Sequence, residues 1–181
     1  MNKFQIAFMI GISSVMFTAC NRNTDVKETA GSEDSLTTSV AQETDIVYQD
    51  GRIDTAYSSY ISLKNALVAS NVADAQKSAG ILSGALNQIE GCKNTADIAE
   101  RISKSQKLDQ QRKDFTLLSD DLIALMKHAD IKEGSVYVQY CPMANSGKGG
   151  YWMASTDEVR NPYYGDEMLN CGEVKEVFSK K

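Results

Sequence analysis

The fold is decided by residues 71–91, which read NVADAQKSAGILSGALNQIEG. Their apolar residues are separated by alternating steps of three and four, a spacing that places side chains on one face of an α-helix. These apolar positions are Val72, Ala75, Ala79, Leu82, Leu86 and Ile89. Asn71 suits the N-cap, and Gly91 suits the position just after the last turn. The stretch therefore predicts a helix over residues 72–90 that packs against other helices.

The same apolar spacing continues on both sides of this stretch. Upstream it is carried by Ile53, Tyr57, Tyr60, Leu63 and Leu67, and downstream by Phe115, Leu118, Leu122 and Leu125. With a candidate N-cap at Thr95, the pattern predicts helices over residues 52–70, 72–90, 95–105 and 108–129. The polar stretch 103–113 is interpreted as a helix boundary or a solvated segment. Short turns between helices favour a mainly α fold, an up-and-down four-helix bundle over residues 51–131, with a coiled-coil dimer as the alternative.

The composition changes after the last predicted helix, and residues 132–175 form a distinct segment. This segment contains both prolines and the only tryptophan of the chain. Residues 136–140 are β-branched or aromatic, residues 147–150 are rich in glycine, and residues 151–153 suit a partner strand. This pattern predicts a short β-hairpin within an irregular C-terminal appendage packed on the bundle. We assign residues 176–181 to a tail.

The N-terminus has the features of an export signal. Lys3 is followed by a mostly apolar run over residues 4–17, which is too short for a typical membrane-spanning helix. The run ends in Phe-Thr-Ala-Cys at residues 17–20, which resembles the processing box of bacterial lipoproteins, although Phe17 stands where leucine is usual. We predict a signal peptide over residues 1–19 and a lipid on Cys20. An uncleaved anchor or an ordinary signal peptide is the alternative.

A polar tether is predicted between the lipid and the folded part. Residues 20–50 are rich in Thr, Ser, Asp and Glu, a composition that cannot bury enough apolar surface to offset the entropy of ordering. The tether and the lipid together predict a protein of the cell envelope. It would be attached to a membrane through its N-terminal lipid and face the periplasm or the cell exterior.

Charge and motifs exclude several classes of function. The chain has 24 acidic and 19 basic residues, with a net charge of −5, and no basic cluster that would neutralise nucleic-acid phosphates. With one histidine, there is no plausible Ser-His-Asp triad, and neither a metalloprotease motif nor a phosphate-binding glycine loop is present. The sequence therefore predicts neither a nucleic-acid-binding protein nor an enzyme.

The cysteines carry the most specific chemistry. If the lipid occupies Cys20, three remain, at positions 92, 141 and 171. The strings Cys141-Pro142-Met143 and Met168-Leu169-Asn170-Cys171 each combine a thiol with a thioether. If the two segments meet, four sulfur ligands converge, and such soft ligands select Cu(I) over harder cations. The candidate metal ligands are therefore Cys141, Met143, Met168 and Cys171, with His128 as a peripheral fifth candidate.

The same cysteines admit a second interpretation. A Cys141–Cys171 disulfide would stabilise the fold by roughly 3–4 kcal/mol on the chain-entropy model, with the methionines as core fillers. The protein would then be a non-metal interaction module of the envelope. Its candidate partner-binding residues are the aromatic side chains of the appendage, since aromatic residues often anchor interfaces. They are Tyr137, Tyr151, Trp152 and Tyr163.

Several strings together resemble a known family. They read VYVQYCPMA at 136–144, GYW at 150–152, RNPYYG at 160–165 and YISLKNAL at 60–67. They resemble a domain of unknown function that occurs in small bacterial lipoproteins and is also fused to membrane-fusion (adaptor) subunits of heavy-metal efflux pumps. The resemblance covers about residues 53–174. It implies the handling of copper or a related soft metal outside the cytoplasm, with heavy-metal efflux components as partners.

Overall fold

A computed structural model describes residues 46–180 of the chain. In this part the chain is mainly helical, with a small β-sheet region at its C-terminal end. The predicted signal peptide, Cys20 and nearly all of the predicted tether lie outside the described residues. Within the described part, no helix combines the length and the apolar character needed to cross a membrane.

Four long helices follow one another along the chain, and their order and number agree with the prediction. They are α1 (Gly51–Val68), α2 (Val72–Leu86), α3 (Lys93–Lys104) and α4 (Leu108–His128). Each helix packs against the next one in sequence, and α1 also contacts α4. Asp50 and Asn71 cap α1 and α2, because their side-chain oxygens accept hydrogen bonds from the backbone N–H groups of Arg52 and Asp74.

Several helix ends differ from the prediction, by one to four residues, and the differences at α2 and α3 have a clear physical cause. Helix α2 ends at Leu86 rather than residue 90, because Gln88 and Ile89 donate backbone hydrogen bonds three residues back, which tightens the chain out of the α-helical pattern. Helix α3 starts at Lys93, so Thr95 is not its N-cap. The Thr95 hydroxyl instead donates to Asp121 Oδ2 of α4, at 3.0 Å.

The predicted apolar faces form the core. Tyr60 of α1 and Phe115 of α4 stack with ring centroids 5.4 Å apart, and both are fully buried. The predicted periodic positions that are buried include Tyr57, Leu63, Leu67, Ala75, Ala79, Leu82, Leu86, Leu118 and Leu122. The polar stretch 103–113 is not solvated throughout, since Gln111 is fully buried and its Nε2 donates to the carbonyls of Val72 and Ser105.

The C-terminal segment is a three-stranded antiparallel sheet joined to irregular turns. Strand β3 (Ser135–Cys141) lies between β4 (Gly150–Ala154) and β5 (Glu173–Ser179). The β3–β4 pair is the predicted hairpin. Strand β5 corrects the prediction of a tail over residues 176–181, since the chain remains paired with β3 as far as Ser179. A 3₁₀ turn (Gly165–Met168) lies between β4 and β5.

A second, two-stranded sheet extends the fold before α1. Strand β1 (Val47–Tyr48) pairs with β2 (Ile131–Glu133), which follows α4. Tyr48 is buried, and its ring packs against Tyr57 with centroids 5.4 Å apart. Residues 46–50, which the sequence assigned to the tether, therefore belong to the folded part of the chain.

Candidate metal centre

Strand β3 positions the first thiol. Cys141 is the last residue of this strand, where it pairs with Gly150 of β4, and its exposed fraction is 0%. Gly150 has no room for a side chain, because a Cβ atom there would lie 2.7 Å from the ring of Tyr163. The close approach of β4 to Tyr163 therefore depends on this glycine. Cys141, which pairs with Gly150, is enclosed next to this contact.

A hydrogen-bonded loop positions the second thiol. Cys171 is partly exposed and lies two residues before β5, where its backbone N–H donates to the carbonyl of Met168 at 3.0 Å. Asn161 is fully buried and holds both ends of this loop. Its Nδ2 donates to the carbonyl of Cys171 at 2.9 Å, and its Oδ1 accepts from the backbone N–H of Tyr163 at 2.8 Å. The Asn-Pro-Tyr string is thus the support of the Cys171 loop.

We expect Asn161→Ala to lower the free energy of unfolding by about 2–4 kcal/mol. The reason is that two backbone groups near the thiols would lose their side-chain partner, at roughly 1–2 kcal/mol each, the lower part of the range for buried groups because Cys171 is partly exposed. Urea denaturation followed by circular dichroism measures this change. Asn94→Ala is the matched control, because Asn94 is exposed on α3. Equal stabilities of the two variants would contradict the supporting role of Asn161.

The two thiols are in contact. Cys141 Sγ and Cys171 Sγ lie 2.7 Å apart, although the residues are 30 positions apart in sequence. The contact with Cys141 raises the pKa of the Cys171 thiol, burial raises it further, and a hydrogen bond from the backbone N–H of Met143 acts in the opposite direction. Both cysteines are free thiols in this structure. The condition on which the proposed sulfur site depends, that the two segments meet, is therefore fulfilled for the cysteines.

The two methionines belong to the same two segments. The backbone of Met143 contacts Cys171 Sγ through its N–H, and its carbonyl accepts from the hydroxyl of Tyr164 at 2.6 Å. The Met143 side chain is 52% exposed. Met168 ends the 3₁₀ turn and is partly buried. The structure thus brings the backbone of Met143 in the first sulfur motif against the thiol of Cys171 in the second.

The histidine lies elsewhere. His128 is the last residue of α4 and lines a small cleft with Tyr48, Asp50 and Leu125. Within residues 46–180, no group of three or more His, Cys, Asp or Glu side chains is arranged to hold a metal ion, so His128 does not join the two cysteines in such a group. A metal held by the two thiols would therefore need thioether, backbone or solvent ligands to complete its coordination.

The predicted partner-binding aromatics divide into core and surface. Trp152 is 0% exposed and Tyr163 is 6% exposed, and their rings pack edge to face with centroids 6.0 Å apart. Both join the sheet to the helices, so neither is available as a surface anchor in this fold. Tyr151 is 41% exposed and packs on Tyr140 at 4.5 Å, and Tyr137 is partly buried.

An arginine clamp that sequence reasoning missed ties the loop to the helices. Arg112 Nε donates to the carbonyl of Pro162 at 2.9 Å. Its Nη2 donates to the carbonyl of Leu67 at 3.2 Å and to Ser70 Oγ at 3.0 Å. One side chain of α4 therefore joins the turn after α1 to the Asn-Pro-Tyr turn. The only sequence signal was the Gln111-Arg112 pair within a polar stretch, which carries no periodic information.

Comparison with known proteins supports the resemblance for part of the chain. No curated protein and no solved structure matches it. One family model matches, over residues 56–134, and its description is "Protein of unknown function (DUF3347)". The matched span begins within α1, covers α2 to α4 and ends before β3, so Cys141 and Cys171 lie beyond it. In its helical part, the chain is therefore similar to a family of domains of unknown function.

Proposed function

We propose that this protein is a lipid-anchored protein of the bacterial cell envelope that binds a soft metal, Cu(I) in the first place, for buffering or for transfer to efflux components. Cys141 and Cys171 are the proposed thiolate ligands. Met143 and Met168 are the proposed thioether ligands, and His128 is peripheral. The helical scaffold, proposed as an up-and-down four-helix bundle, holds the sheet that carries the site.

The proposal is carried by the contact between the two thiols. Their sulfurs lie 2.7 Å apart. Met143 follows Cys141 in the chain, and its backbone N–H contacts Cys171 Sγ. Met168 precedes Cys171, and its carbonyl accepts a hydrogen bond from the backbone N–H of Cys171. Sulfur ligands of this kind favour Cu(I) over magnesium or calcium, which prefer oxygen ligands. Zinc is disfavoured because a third Cys, His or carboxylate ligand is absent from the described part of the chain.

Metal binding would require a small movement of the sulfurs. Two thiolates that share one tetrahedral zinc ion, with metal–sulfur bonds of about 2.3 Å, lie about 3.8 Å apart. The two sulfurs of this site would therefore need to separate by about 1 Å to hold an ion of that size. Cys171 is the residue suited to move, because it lies in a partly exposed loop, whereas Cys141 is enclosed within β3.

The envelope location rests on the N-terminal sequence and on the family resemblance. Cys20 would carry the lipid, and the tether would extend the domain away from the membrane. An extracytoplasmic site would meet metal ions on their way out of the cell. This is the setting implied by the resemblance to domains fused to heavy-metal efflux adaptors.

Titration with Cu(I) tests the proposal. The reduced full-length protein, kept under nitrogen, competes with bicinchoninate for Cu(I). We expect one tightly bound Cu(I) per chain, and we expect Cys141→Ala and Cys171→Ala each to weaken binding by more than about 100-fold, since ligand loss exceeds the 10–100-fold typical of outer-shell changes. Cys92→Ala is the control, because Cys92 is the N-cap residue of α3 and lies outside both sulfur motifs. Absence of uptake, or unchanged uptake by Cys141→Ala, would remove the proposal.

The short distance between the sulfurs of Cys141 and Cys171 also favours a second candidate function. A separation of 2.7 Å is shorter than two ligands of one metal ion normally adopt, and small rotations would bring the sulfurs to a bonded 2.05 Å. The protein would then be a disulfide-stabilised interaction module of the envelope. Mass spectrometry of the protein as isolated distinguishes the two. Quantitative Cys141–Cys171 linkage favours the module, and free thiols with bound copper favour the metal site.

A further inference from the structure

The two thiols of the pair differ in access. Cys141 is fully buried, whereas Cys171 is partly exposed in the loop before β5. The sulfurs lie 2.7 Å apart, so each is within immediate reach of the other. A bulky disulfide from solution can therefore reach only Cys171, and Cys141 is buried beside it.

We propose that the pair is a thiol–disulfide exchange site in which Cys171 is the entry point and Cys141 is the resolving thiol. The substrate class is an external disulfide, either of a small thiol such as glutathione or of another envelope protein. The proposal concerns the same residues as the proposed metal site, but it does not depend on metal binding.

The exchange proceeds in two balanced steps. Cys171, as a thiolate, attacks one sulfur of the external disulfide; a mixed disulfide forms, and the other sulfur leaves as a thiolate. Cys141, as a thiolate, then attacks Cys171 Sγ, which forms the Cys141–Cys171 bond and releases the second external thiolate. The external disulfide is reduced to two thiols and the cysteine pair is oxidised. The two protons of the cysteines end on the released thiols.

The surroundings of Cys171 support this order. Asn161 fixes the backbone of Cys171 through its carbonyl, so the loop presents the thiol in one place. Cys92, the third thiol of the described residues, is buried at the start of α3 and has no neighbouring thiol among them. It serves as an internal reference for a non-reacting cysteine.

Glutathione disulfide is the probe that tests the inference. The reduced, metal-free full-length protein is treated with it in the presence of a chelator, quenched with acid and mapped by peptide mass spectrometry. We expect the wild type to form the Cys141–Cys171 bond without accumulating adduct. In Cys141→Ser, glutathione accumulates on Cys171. In Cys171→Ser, glutathione adds to Cys141 at least about tenfold more slowly than it adds to Cys171 in Cys141→Ser. Unfolding in urea makes the two rates equal, because only burial protects the Cys141 thiol.

Two results would overturn the inference. One is equal rates of adduct formation on Cys141 and Cys171 in the folded single variants. The other is stable accumulation of glutathione on the wild type without an internal bond. If a variant fails to fold by circular dichroism, rapid acid quenching of the wild type replaces it, and the earliest adduct must map to Cys171. Failure of Cu(I) binding leaves these outcomes unchanged, so the two proposals are tested separately.

Discussion

Replacing Trp152 with alanine is expected to lower the free energy of unfolding by about 3–5 kcal/mol, the range for removal of a large aromatic side chain from a core. Trp152 is fully buried between the sheet and the helices, next to Tyr163. A Cβ atom on Gly172 would lie 2.8 Å from its ring, which shows how closely the Cys171 loop covers it. The variant would thus leave a cavity beneath the candidate site.

The neighbouring residue supplies a matched control for this prediction. Tyr151 precedes Trp152 on β4 but faces the other side of the sheet and is 41% exposed. Tyr151→Ala should cost less than about 1 kcal/mol, as is usual for surface positions. Urea denaturation followed by far-UV circular dichroism measures both variants, since the only tryptophan is lost in one of them. A larger effect for Tyr151 than for Trp152 would contradict the packing and favour the surface-anchor interpretation.

The helical part of the fold was predictable because its signal is local. Spacings of three and four determine which side chains share a face, and burial of that face is what stabilises helices in a protein. The helix ends were less predictable. At α2, the choice between residue 86 and residue 90 depends on short i→i−3 hydrogen bonds and on Gly91, whose φ of +83° permits the turn. These details do not alter the apolar pattern.

The strands that were missed carry no comparable local signal. Strand β5 reads EVKEVFS, with charged residues at three of its first four positions and most side chains exposed. Its pairing comes from β3, whose other edge is occupied by β4. An edge strand of this kind tolerates charge, which also discourages pairing with other chains. Strand β1 also lacks a local signal, because it has only two residues. Its pairing partner, β2, is separated from it in sequence by the four helices.

The candidate site was predictable in its composition but not in its supports. The sulfur-containing strings suggested that Cys141 and Cys171 converge, and the structure confirms that contact. The supports are backbone carbonyls bound by Asn161 and Arg112, and such long-range contacts leave no periodic trace in a sequence. Copper binding itself stays a prediction, because it depends on a rearrangement of sulfurs that now touch each other.

Raising the pH above 10 is expected to unfold the protein, because Tyr48, Tyr60 and Tyr163 are buried as neutral phenols. Burial raises the pKa of Tyr60 and of Tyr163 well above the usual value of 10.0, and burial together with the Asp54 carboxylate does so for Tyr48. The unfolded chain loses these protons near pH 10, whereas the folded chain retains them. Stability from this source is therefore complete below pH 10 and falls as the pH rises further.

Absorbance at 295 nm, recorded with circular dichroism from pH 8 to 12, tests this expectation. The chain has eight tyrosines, and of these Tyr48, Tyr60 and Tyr163 should ionise only as the helical signal is lost. Ionisation of all eight near pH 10 with unchanged helicity would contradict the burial of these phenols. Tyr48→Phe is the control, because the Tyr48 hydroxyl is buried without a hydrogen-bond partner in the described part of the chain. Removing it should preserve or raise stability at pH 8 and shift alkaline unfolding to higher pH, since one neutral phenol fewer must lose its proton.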